Sequence, residues 1–431
     1  MYPKFHNIFQ VIIEITKLYF YFYSQTHRAL PLSSGEKVKW AIAGRSKDKL
    51  EKIKESIYQE LMDAGISTVT KKDVDEIDVF VVYTLVLDEN FHNLVKDTRA
   101  IATTAGPFAL YGSNVVEFCA KYGTHYVDIT GEQEWSRQMI HKWQDTAQKS
   151  GAKIVSFCGH DCIPWDLSVY KLKQKLMIEK GEELTDVVIL DEYQGGSMSG
   201  GTLATICMGL DGYKAPKYAG GDPWLINESG DIVKKNNFAA KLPFIPQKVA
   251  QSFAAFPSQT SYIGFFIMSV INAEVVKRSH ILSSSKKKDE AVTPLVYREG
   301  MHFLDLPSAL VGTVGFVLLF SLLLNPLTRH YIENTLLPPG KGPSIQAQKD
   351  AHLCLYASGI GSKGSSVESS MYFPGDGGYS ETARMLMESG LCLALNPSDE
   401  IGGFFTPSTA MGDSLLDRLC QSGTMYRSVT K

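Results

Sequence analysis

The first 34 residues of the chain contain no glycine. A dinucleotide-binding domain holds the pyrophosphate on backbone N–H groups of a glycine-rich turn, which joins the first strand to the first helix. Neither that turn nor a first strand is recognisable before Lys37. The sequence therefore predicts that any nucleotide-binding sheet in this chain lacks its first strand and its glycine turn.

Four further absences narrow the class of protein. A formal charge of -3 offers no basic surface for nucleic acid, so we expect no nucleic-acid partner. The seven cysteines have no disulfide-scaffold spacing, which favours reduced thiols in a cytosolic environment. Cys158, His160 and Cys162 lack a second ligand pair of the usual spacing, and we predict no metal site. Residues 1–10 lack the basic start and cleavage site of a secretory signal.

The most informative stretch is GPFALYGSNVVEFCAKYGTHYVDITGE, residues 106–132. A glycine–proline turn follows an apolar run, and an amphipathic helix follows the turn. Gly123 is placed to end that helix in a left-handed conformation, and Tyr126 to Ile129 is typical of a short buried strand. This order of strand, loop, helix and strand is half of a doubly wound sheet, in which ligands bind beyond the carboxyl ends of the strands.

Strands that alternate with helices between Lys37 and Cys158 predict a parallel sheet with right-handed crossovers. From about Gly181 the pattern changes, and two late segments suggest an antiparallel pair. The predicted fold is an α/β, Rossmann-like doubly wound parallel sheet with an inserted α+β domain. The predicted parts are an atypical aromatic and apolar N-terminal segment (1–37), a nucleotide-binding domain (38–180), the second domain (181–395) and a segment that returns to the first domain (396–431).

Residues 1–37 differ in pattern from the rest of the chain, because phenylalanine, tyrosine and isoleucine are interrupted by His6, Glu14 and Lys17. A membrane-spanning helix needs about 20 mostly apolar residues, and this segment is too broken for a confident span. An amphipathic helix, packed on protein or lying on a membrane surface, is the favoured interpretation. A spanning helix and a start that is not the natural one stay open as alternatives.

A second apolar segment, residues 306–328, contains no charged residue, and Asp305 and Arg329 flank it. Its unbroken apolar part of about 17–20 residues lies at the lower edge for a transmembrane helix. The segment could be a buried core helix. We favour contact with a membrane or a lipid surface, as a span, a hairpin or an interfacial helix, because only Ser308, Thr313 and Ser321 offer polarity.

Several polar residues follow predicted strands, where ligands would bind. Arg45 comes at the end of the strand that would meet the adenosine ribose, and an arginine there suits a 2′-phosphate, which favours NADP over NAD. It could also be an ordinary exposed arginine. Asp128, Glu132 and Asp161 begin loops and could cap helices or turns instead of doing chemistry. Tyr111 could donate a proton, although packing is the simpler interpretation.

Taken together, several motifs resemble the saccharopine dehydrogenase-like oxidoreductase family, in its eukaryotic branch related to bacterial trans-acting enoyl reductases. The resemblance covers roughly residues 38–431. The motifs that carry it are AIAGRSKDKL, AGPFALYGSNVVEFCAKYGTHYVDITGE, GHDCIPWDL, SGGTLAT, GPSIQAQKDAHLCLYASG and GGFFTPSTAMGDSLLDRL. Thr103 stands where the family often has asparagine, His160 where it has phenylalanine, and Cys162 where it has serine.

The resemblance implies a Rossmann domain split by a substrate domain, with NAD(P) at the edge of its sheet. It also implies an association with lipid droplets and membranes, as in eukaryotic members. It identifies no catalytic residue. The cofactor positions that it implies are Gly44, Arg45 and Ser46 at the adenosine end, and Thr103, Gly106, Pro107, Phe108 and Tyr111 toward the nicotinamide.

Two functions of different classes are compatible with the sequence. The first is an NADP-dependent oxidoreductase on the cytosolic face of a membrane or lipid droplet, which acts on a lipid-like substrate in lipid or glycolipid metabolism. The second is a catalytically degenerate relative that serves as a lipid-surface or interaction protein. Saccharopine metabolism itself is a weaker third option, because residues 306–328 suit a soluble amino-acid enzyme poorly. A homo-oligomer stays open.

Overall fold

The structure is a computed structural model, and the chain in it divides into two compact units. Unit 1 consists of residues 1–159 and 382–422, and unit 2 of residues 160–381 and 423–431. The residues that the structure describes are 8–12, 39–63, 70–195, 203, 207, 216, 218, 221–227, 230–233, 236–249, 253, 261–284, 292–332, 335, 343–396 and 401–430.

The strands and helices of the described residues are numbered separately in chain order. The strands are β1 (Ile8–Ile12), β2 (Lys39–Gly44), β3 (Asp78–Val81), β4 (Ala100–Thr103), β5 (His125–Asp128), β6 (Lys153–Val155), β7 (Leu184–Gln194), β8 (Phe238–Ala240), β9 (Gln247–Lys248), β10 (Tyr262–Gly264), β11 (Leu295–Phe303), β12 (His352–Gly361), β13 (Ser366–Phe373), β14 (Gly403–Phe405) and β15 (Met425–Thr430). The α-helices are α1 (Lys47–Asp63), α2 (Lys71–Asp75), α3 (Glu89–Lys96), α4 (Phe108–Tyr111), α5 (Ser113–Tyr122), α6 (Gln133–Ser150), α7 (Ile163–Lys180), α8 (Ser269–Ser284), α9 (Leu306–Leu324), α10 (Pro326–Tyr331), α11 (Ile345–Asp350), α12 (Thr382–Leu395) and α13 (Pro407–Gln421).

Unit 1 is built on a parallel sheet with the strand order β14-β6-β5-β4-β1-β2-β3. The order from β3 to β6 is that of a doubly wound nucleotide-binding sheet, as the sequence predicts. Strand β1 lies in the middle, where Val11 pairs with Ile42 of β2 on one side and with Ala102 of β4 on the other. The prediction that the first strand is missing is therefore wrong.

The sequence favours an amphipathic helix for the N-terminal segment, and the structure corrects this for Ile8–Ile12. The five residues IFQVI include three β-branched side chains, which favour an extended backbone. Two neighbouring strands offer partners to the backbone of β1 on both sides, so the sheet decides a locally ambiguous apolar run. The rest of the N-terminal segment, including residues 13–38 where a glycine turn would follow β1, lies outside the described residues.

The stretch from residue 106 to 132 folds largely as its pattern predicts. Gly123 ends α5 with a φ of 80°, and its N–H donates to the Cys119 carbonyl at 3.1 Å. Strand β5 follows at once and pairs with β4, so the carboxyl ends of β4 and β5 lie at the same edge. The loops after β4 and β5 are therefore neighbours at the edge where ligands of such sheets bind.

Unit 2 is built on a mixed sheet with the order β15-β13-β12-β7-β11-β10-β9, and β8 pairs with β11. Its boundaries differ from the predicted 181–395. Helix α7 packs on β7, β12 and β13 of this sheet, which places residues 160–180 in unit 2. Helix α12 packs on β4 and β5, which places residues 382–395 in unit 1. Strand β15 pairs with β13, so of the C-terminal segment only residues up to 422 return to unit 1.

A proline at the centre of β1 tests whether this strand organises unit 1. Proline has no N–H and is incompatible with a strand that is paired on both sides. We expect Val11→Pro to abolish cooperative unfolding of unit 1 in urea, followed by circular dichroism. The control Val11→Thr keeps the donor and the branched shape and should unfold cooperatively. An unchanged unfolding midpoint for Val11→Pro would contradict the central placement of β1.

Candidate nucleotide-binding edge and buried acid cluster

The carboxyl end of β2 presents the first group of predicted cofactor residues. Gly44 is buried as the last residue of the strand, and Arg45 is exposed directly after it. Ser46 precedes α1, where its hydroxyl accepts from the Lys49 N–H at 3.4 Å and its carbonyl accepts from the Leu50 N–H at 3.0 Å. The turn thus holds an exposed guanidinium at a strand end, next to the start of a helix.

The carboxyl end of β4 leads into the glycine–proline turn. Thr103 is buried, and its hydroxyl accepts from the Ala105 N–H at 3.1 Å. The Gly106 N–H donates to the Thr104 carbonyl at 2.8 Å, and the peptide bond between Gly106 and Pro107 is cis. Thr103 therefore shapes the turn, and its side chain is not presented to solvent.

The Glu132 carboxylate fastens this turn to the loop after β5. It accepts from the Phe108 N–H at 2.7 Å and from the Ala109 N–H at 2.8 Å, which are the first two N–H groups of α4. Burial raises the pKa of Glu132, and these two hydrogen bonds oppose that rise. The sequence leaves chemistry or capping open for Glu132, and the structure shows capping. The two capped N–H groups, of Phe108 and Ala109, lie 24 and 23 residues before Glu132 in the chain.

Phe108 packs into the protein. Its ring lies 5.7 Å from the Trp135 ring, and the Trp135 Nε1–H donates to the Ser113 hydroxyl at 3.0 Å. A Cβ at Gly112 would lie 2.8 Å from the Trp135 ring, so only glycine allows this approach. Phe108 thus anchors the loop, and its N–H is already bonded to Glu132.

Arg45 and Tyr111 come together across the edge. The Arg45 guanidinium carbon lies 5.8 Å from the centre of the Tyr111 ring, within the range of a cation–π contact. The resemblance assigns Arg45 to the adenosine end and Tyr111 to the nicotinamide end. The structure brings these two together, so Tyr111 lies beside the residue of the adenosine end.

Asp128 at the end of β5 is a fully buried carboxyl group. It accepts from the Thr130 N–H at 3.0 Å, the Ser156 hydroxyl at 3.1 Å and the Phe157 N–H at 3.3 Å. Burial raises its pKa to about 7, against the effect of these bonds. Phe157 has a φ of 65°, a conformation that side chains rarely adopt, and Asp128 holds it there. Asp128 therefore fixes the loops after β5 and β6.

Unit 2 contains a buried acid cluster that sequence reasoning missed. The register pairs Ile189 of β7 with Glu299 of β11 and Asp191 with Met301, so Asp191 and Glu299 lie on the same face of the sheet. Both are buried. The available signal was an acidic residue close to apolar residues in each of two strands, Asp191 after residues 187–190 and Glu299 after residues 295–297, although both strands contain further charged residues.

Hydrogen bonds satisfy only part of this cluster. Glu299 accepts from the Asn272 amide at 2.7 Å and from the Tyr297 hydroxyl at 2.6 Å, and Asp191 accepts from the Trp165 indole at 2.9 Å. Within the described part of the chain, the second oxygen of Asp191 and the amide oxygen of Asn272 are buried without a hydrogen-bond partner. Such acceptors are costly in an apolar interior, and protonation of a carboxylate relieves that cost.

The ionisation of the cluster follows from its burial. Burial raises the pKa of Glu299 to about 8, against the hydrogen bonds from Tyr297 and Asn272. Burial and the neighbouring Glu299 charge raise the pKa of Asp191 well above its usual range. Burial also raises the pKa of Asp161 to about 7, although part of this residue reaches solvent. The cluster therefore retains protons near neutral pH.

The candidate metal ligands do not come together as a cluster. In the part of the chain that the structure describes, no three His, Cys, Asp or Glu side chains form a group that could hold a metal ion. His160 is buried, its ring lies 5.5 Å from Trp165, and burial lowers its pKa to about 4. Cys158 and Cys162 are buried thiols.

The chain is similar in sequence to several known proteins. No model of a known protein family matches it. It is 30% identical over 346 residues to the trans-acting enoyl reductase of Mycobacterium ulcerans, covering 76% of this chain and 80% of that protein. It is 28% identical over 413 residues to the trans-acting enoyl reductase of Mycobacterium tuberculosis H37Rv, covering 91% of each. Among solved structures, saccharopine dehydrogenase (L-Glu forming) from Saccharomyces cerevisiae is similar with a TM-score of 0.48 and 11% identity, over 98% of this chain and 99% of that one.

Removal of the Glu132 carboxylate should loosen the edge of unit 1. Glu132→Ala leaves two N–H groups of α4 without their partner, and we expect a loss of about 2–3 kcal/mol in the free energy of unfolding. The control Glu117→Ala removes an i,i+4 pair with Lys121 on α5, which should cost at most about 0.5 kcal/mol. Urea unfolding measures both. Equal losses would show that the Glu132 contacts do not hold the loop.

The acid cluster predicts a pH dependence of stability. The raised pKa of Glu299, about 8, means that the folded chain keeps a proton which the unfolded chain releases. Its contribution is complete at acidic pH and is lost as the pH rises through about 8. Desolvation lowers the pKa of histidines such as His125 and His160 to about 4. These histidines act in the opposite direction only below their ordinary pKa of roughly 6.5.

The pH range in which these histidines do not oppose the effect of Glu299 therefore lies between about pH 6.5 and pH 8. There we expect the free energy of unfolding to fall as the pH rises. Glu299→Gln should make that fall shallower, by up to about 1.4 kcal/mol per pH unit. The control Glu274→Gln changes a carboxylate paired with Lys277 outside the cluster and should keep the wild-type slope. A Glu299→Gln slope identical to wild type would refute proton retention by this group.

Proposed function

The chain belongs to the family of the trans-acting enoyl reductases, within the saccharopine dehydrogenase-like oxidoreductases, and from this we propose that it is an NADP-dependent oxidoreductase that reduces a lipid-like acyl substrate. The observation that carries the proposal is the doubly wound sheet of unit 1, in which an exposed arginine follows β2. The family supplies the reaction class, and the sheet supplies a place for the cofactor.

The residues at this edge suit a nicotinamide cofactor with a 2′-phosphate. In the doubly wound fold, the residue after the second strand meets the adenosine ribose, and a carboxylate there would repel a phosphate. Arg45 stands at this position, with Tyr111 beside it as an aromatic surface. We propose that Arg45 binds the 2′-phosphate and that Tyr111 holds the Arg45 guanidinium in place.

The chemistry of the proposed reaction defines what the protein must provide. Reduction of a carbon–carbon double bond next to a carbonyl adds a hydride to one carbon and a proton to the other. A bound NADPH supplies the hydride. The protein has to orient the reactants and to hold a proton near neutral pH. Burial raises the pKa of Asp161 to about 7, which suits the second requirement.

We also propose that the protein works at a membrane or lipid-droplet surface on its cytosolic side. Among the described residues, one helix is long and apolar enough to cross a membrane, and 11% of it is buried in the structure. An apolar surface of this kind on an oxidoreductase suits a substrate that is itself lipid-like. A role in lipid or glycolipid metabolism follows from this pairing of chemistry and location.

A catalytically degenerate relative is the second candidate. The absence of glycine from residues 1–34 favours it, because a glycine-rich turn ordinarily holds the pyrophosphate. Calorimetry with millimolar NADPH separates the two candidates. We expect a saturable binding isotherm, and its absence would favour the degenerate protein. Oxidation of NADPH in the presence of an enoyl thioester would exclude the degenerate protein.

An arginine variant tests the choice of cofactor. Arg45→Ala should weaken NADPH binding roughly 10- to 100-fold, because a charge-assisted contact to the 2′-phosphate is lost, and leave NADH binding unchanged. The control Lys49→Ala, in the first turn of α1, should change neither affinity. Calorimetric titration with both nucleotides measures the difference. An equal loss for NADPH and NADH would contradict the proposed contact.

A further inference from the structure

Helix α9 exposes an aliphatic surface along its whole length. Its exposed side chains are those of valine and leucine on most turns, with Val311 exposed by 73%, Val314 by 65% and Leu318 by 60%. Only Ala309 and Leu323 are fully buried. A water-soluble helix that packs on a core usually shows a polar outer face. The outer face of α9 is as apolar as its inner face.

The three hydroxyl groups of α9 are satisfied within the helix and its cap. Ser308 donates to the Asp305 carbonyl at 3.0 Å, Thr313 to the Ala309 carbonyl at 2.9 Å and Ser321 to the Val317 carbonyl at 2.7 Å. None of these hydroxyl groups needs water as an acceptor for its proton. In hydrocarbon every polar group has to find its partner inside the protein, and α9 meets this condition.

The inner side of α9 packs on unit 2 at both ends of the helix. Near its start, a Cβ at Gly312 would lie 2.8 Å from the Phe303 ring, and Phe316 contacts Phe265 at 6.1 Å between ring centres. Near its end, Leu323 belongs to a cluster with Leu203, Cys207 and Ile332. The helix thus lies lengthwise on its unit and does not project from it.

A second apolar element continues this surface. Phe244 stacks on Phe265 with ring centres 4.8 Å apart, and Phe265 in turn contacts Phe316 of α9. Phe244 is exposed by 64% and the adjacent Ile245 by 73%. The turn at Phe244 and Ile245 thus adjoins α9 through Phe265 and Phe316, and we call this turn together with the exposed side of α9 the apolar face.

A membrane-spanning orientation conflicts with these contacts. Helix α9 packs on β10, and β10 pairs with β9, the edge strand that carries exposed Gln247 and Lys248. If α9 crossed a bilayer, this sheet edge would lie in the hydrocarbon with unpaired backbone groups and a lysine. Open sheet edges do not occur in that region.

A lipid leaflet suits the apolar face better than a protein partner does. Protein interfaces carry about one hydrogen bond per 100–200 Å², together with arginine, tyrosine or tryptophan anchors. The exposed side of α9 offers no charged or aromatic polar group, and its hydroxyls are already bonded. Polar ends flank it, with Asp305 before the helix and Arg329 and His330 after it.

We propose that α9 lies in the plane of a single phospholipid leaflet, with the Phe244–Ile245 turn inserted beside it, and does not span the bilayer. This inference rests on the membrane association proposed above and specifies its geometry. The apolar face enters the acyl region, and the flanking residues Asp305 and Arg329 remain at the headgroups, both on the same side of the membrane.

The full-length protein, bound to phosphatidylcholine vesicles, tests this geometry. Leu304→Cys and His330→Cys place a thiol before and after the helix, in a Cys420→Ser background that removes the exposed native cysteine. A membrane-impermeant maleimide is added outside the vesicles. We expect both thiols to react without detergent. Reaction of only one until detergent is added would show a spanning helix and overturn the proposal.

Binding is tested with Val314→Asp, which places a charge on the apolar face. We expect vesicle binding to fall at least about tenfold, and binding to an oil emulsion coated with a phospholipid monolayer to fall equally. The control Ile401→Asp alters a residue of unit 1 that is exposed by 68% and should bind as wild type does. Circular dichroism of each variant reports folding, and NADPH titration reports the cofactor function separately.

Failure of wild-type protein to bind vesicles would overturn the membrane geometry even if NADPH binding is intact. Loss of NADPH binding with intact vesicle binding would instead overturn the cofactor proposal and leave the membrane geometry supported. Binding to vesicles but not to the monolayer-coated emulsion would contradict insertion into a single leaflet. The two proposals can therefore fail independently.

Discussion

The two hydrogen bonds from the start of α4 to Glu132 hold together the edge on which a cofactor site depends. They join the loop after β5 to the loop after β4, and the parallel sheet brings both loops to one edge. Burial of Glu132 makes these bonds valuable, because two N–H groups would otherwise lack partners away from water. The position of Tyr111 next to Arg45 follows from the short helix that Glu132 caps.

Much of the fold could be predicted from local patterns, whereas pairing between distant segments could not. The stop at Gly123 and the strand after it follow from residue types and spacing. Strand β1 was missed because its five residues are compatible with a helix and only its two neighbours make it a strand. The domain boundaries shifted for the same reason, since α7 and α12 are assigned by the sheet on which each packs.

The candidate site was predictable at strand ends and unpredictable inside strands. Arg45 and the glycine–proline turn are visible in the sequence because they interrupt apolar runs. Asp191 and Glu299 converge only through the parallel register of β7 and β11, which no single segment encodes. Their burial raises the pKa of both carboxyl groups.

We propose that this chain transfers a hydride from NADPH to an acyl substrate. The most direct measurement is mass spectrometry of an enoyl thioester incubated with the purified protein and NADPH deuterated at the transferable position. We expect one deuterium on the carbon of the double bond that lies farther from the carbonyl, and one proton from solvent on the nearer carbon. Recovery of unreduced, unlabelled thioester from protein that binds NADPH would contradict the claim for this substrate class.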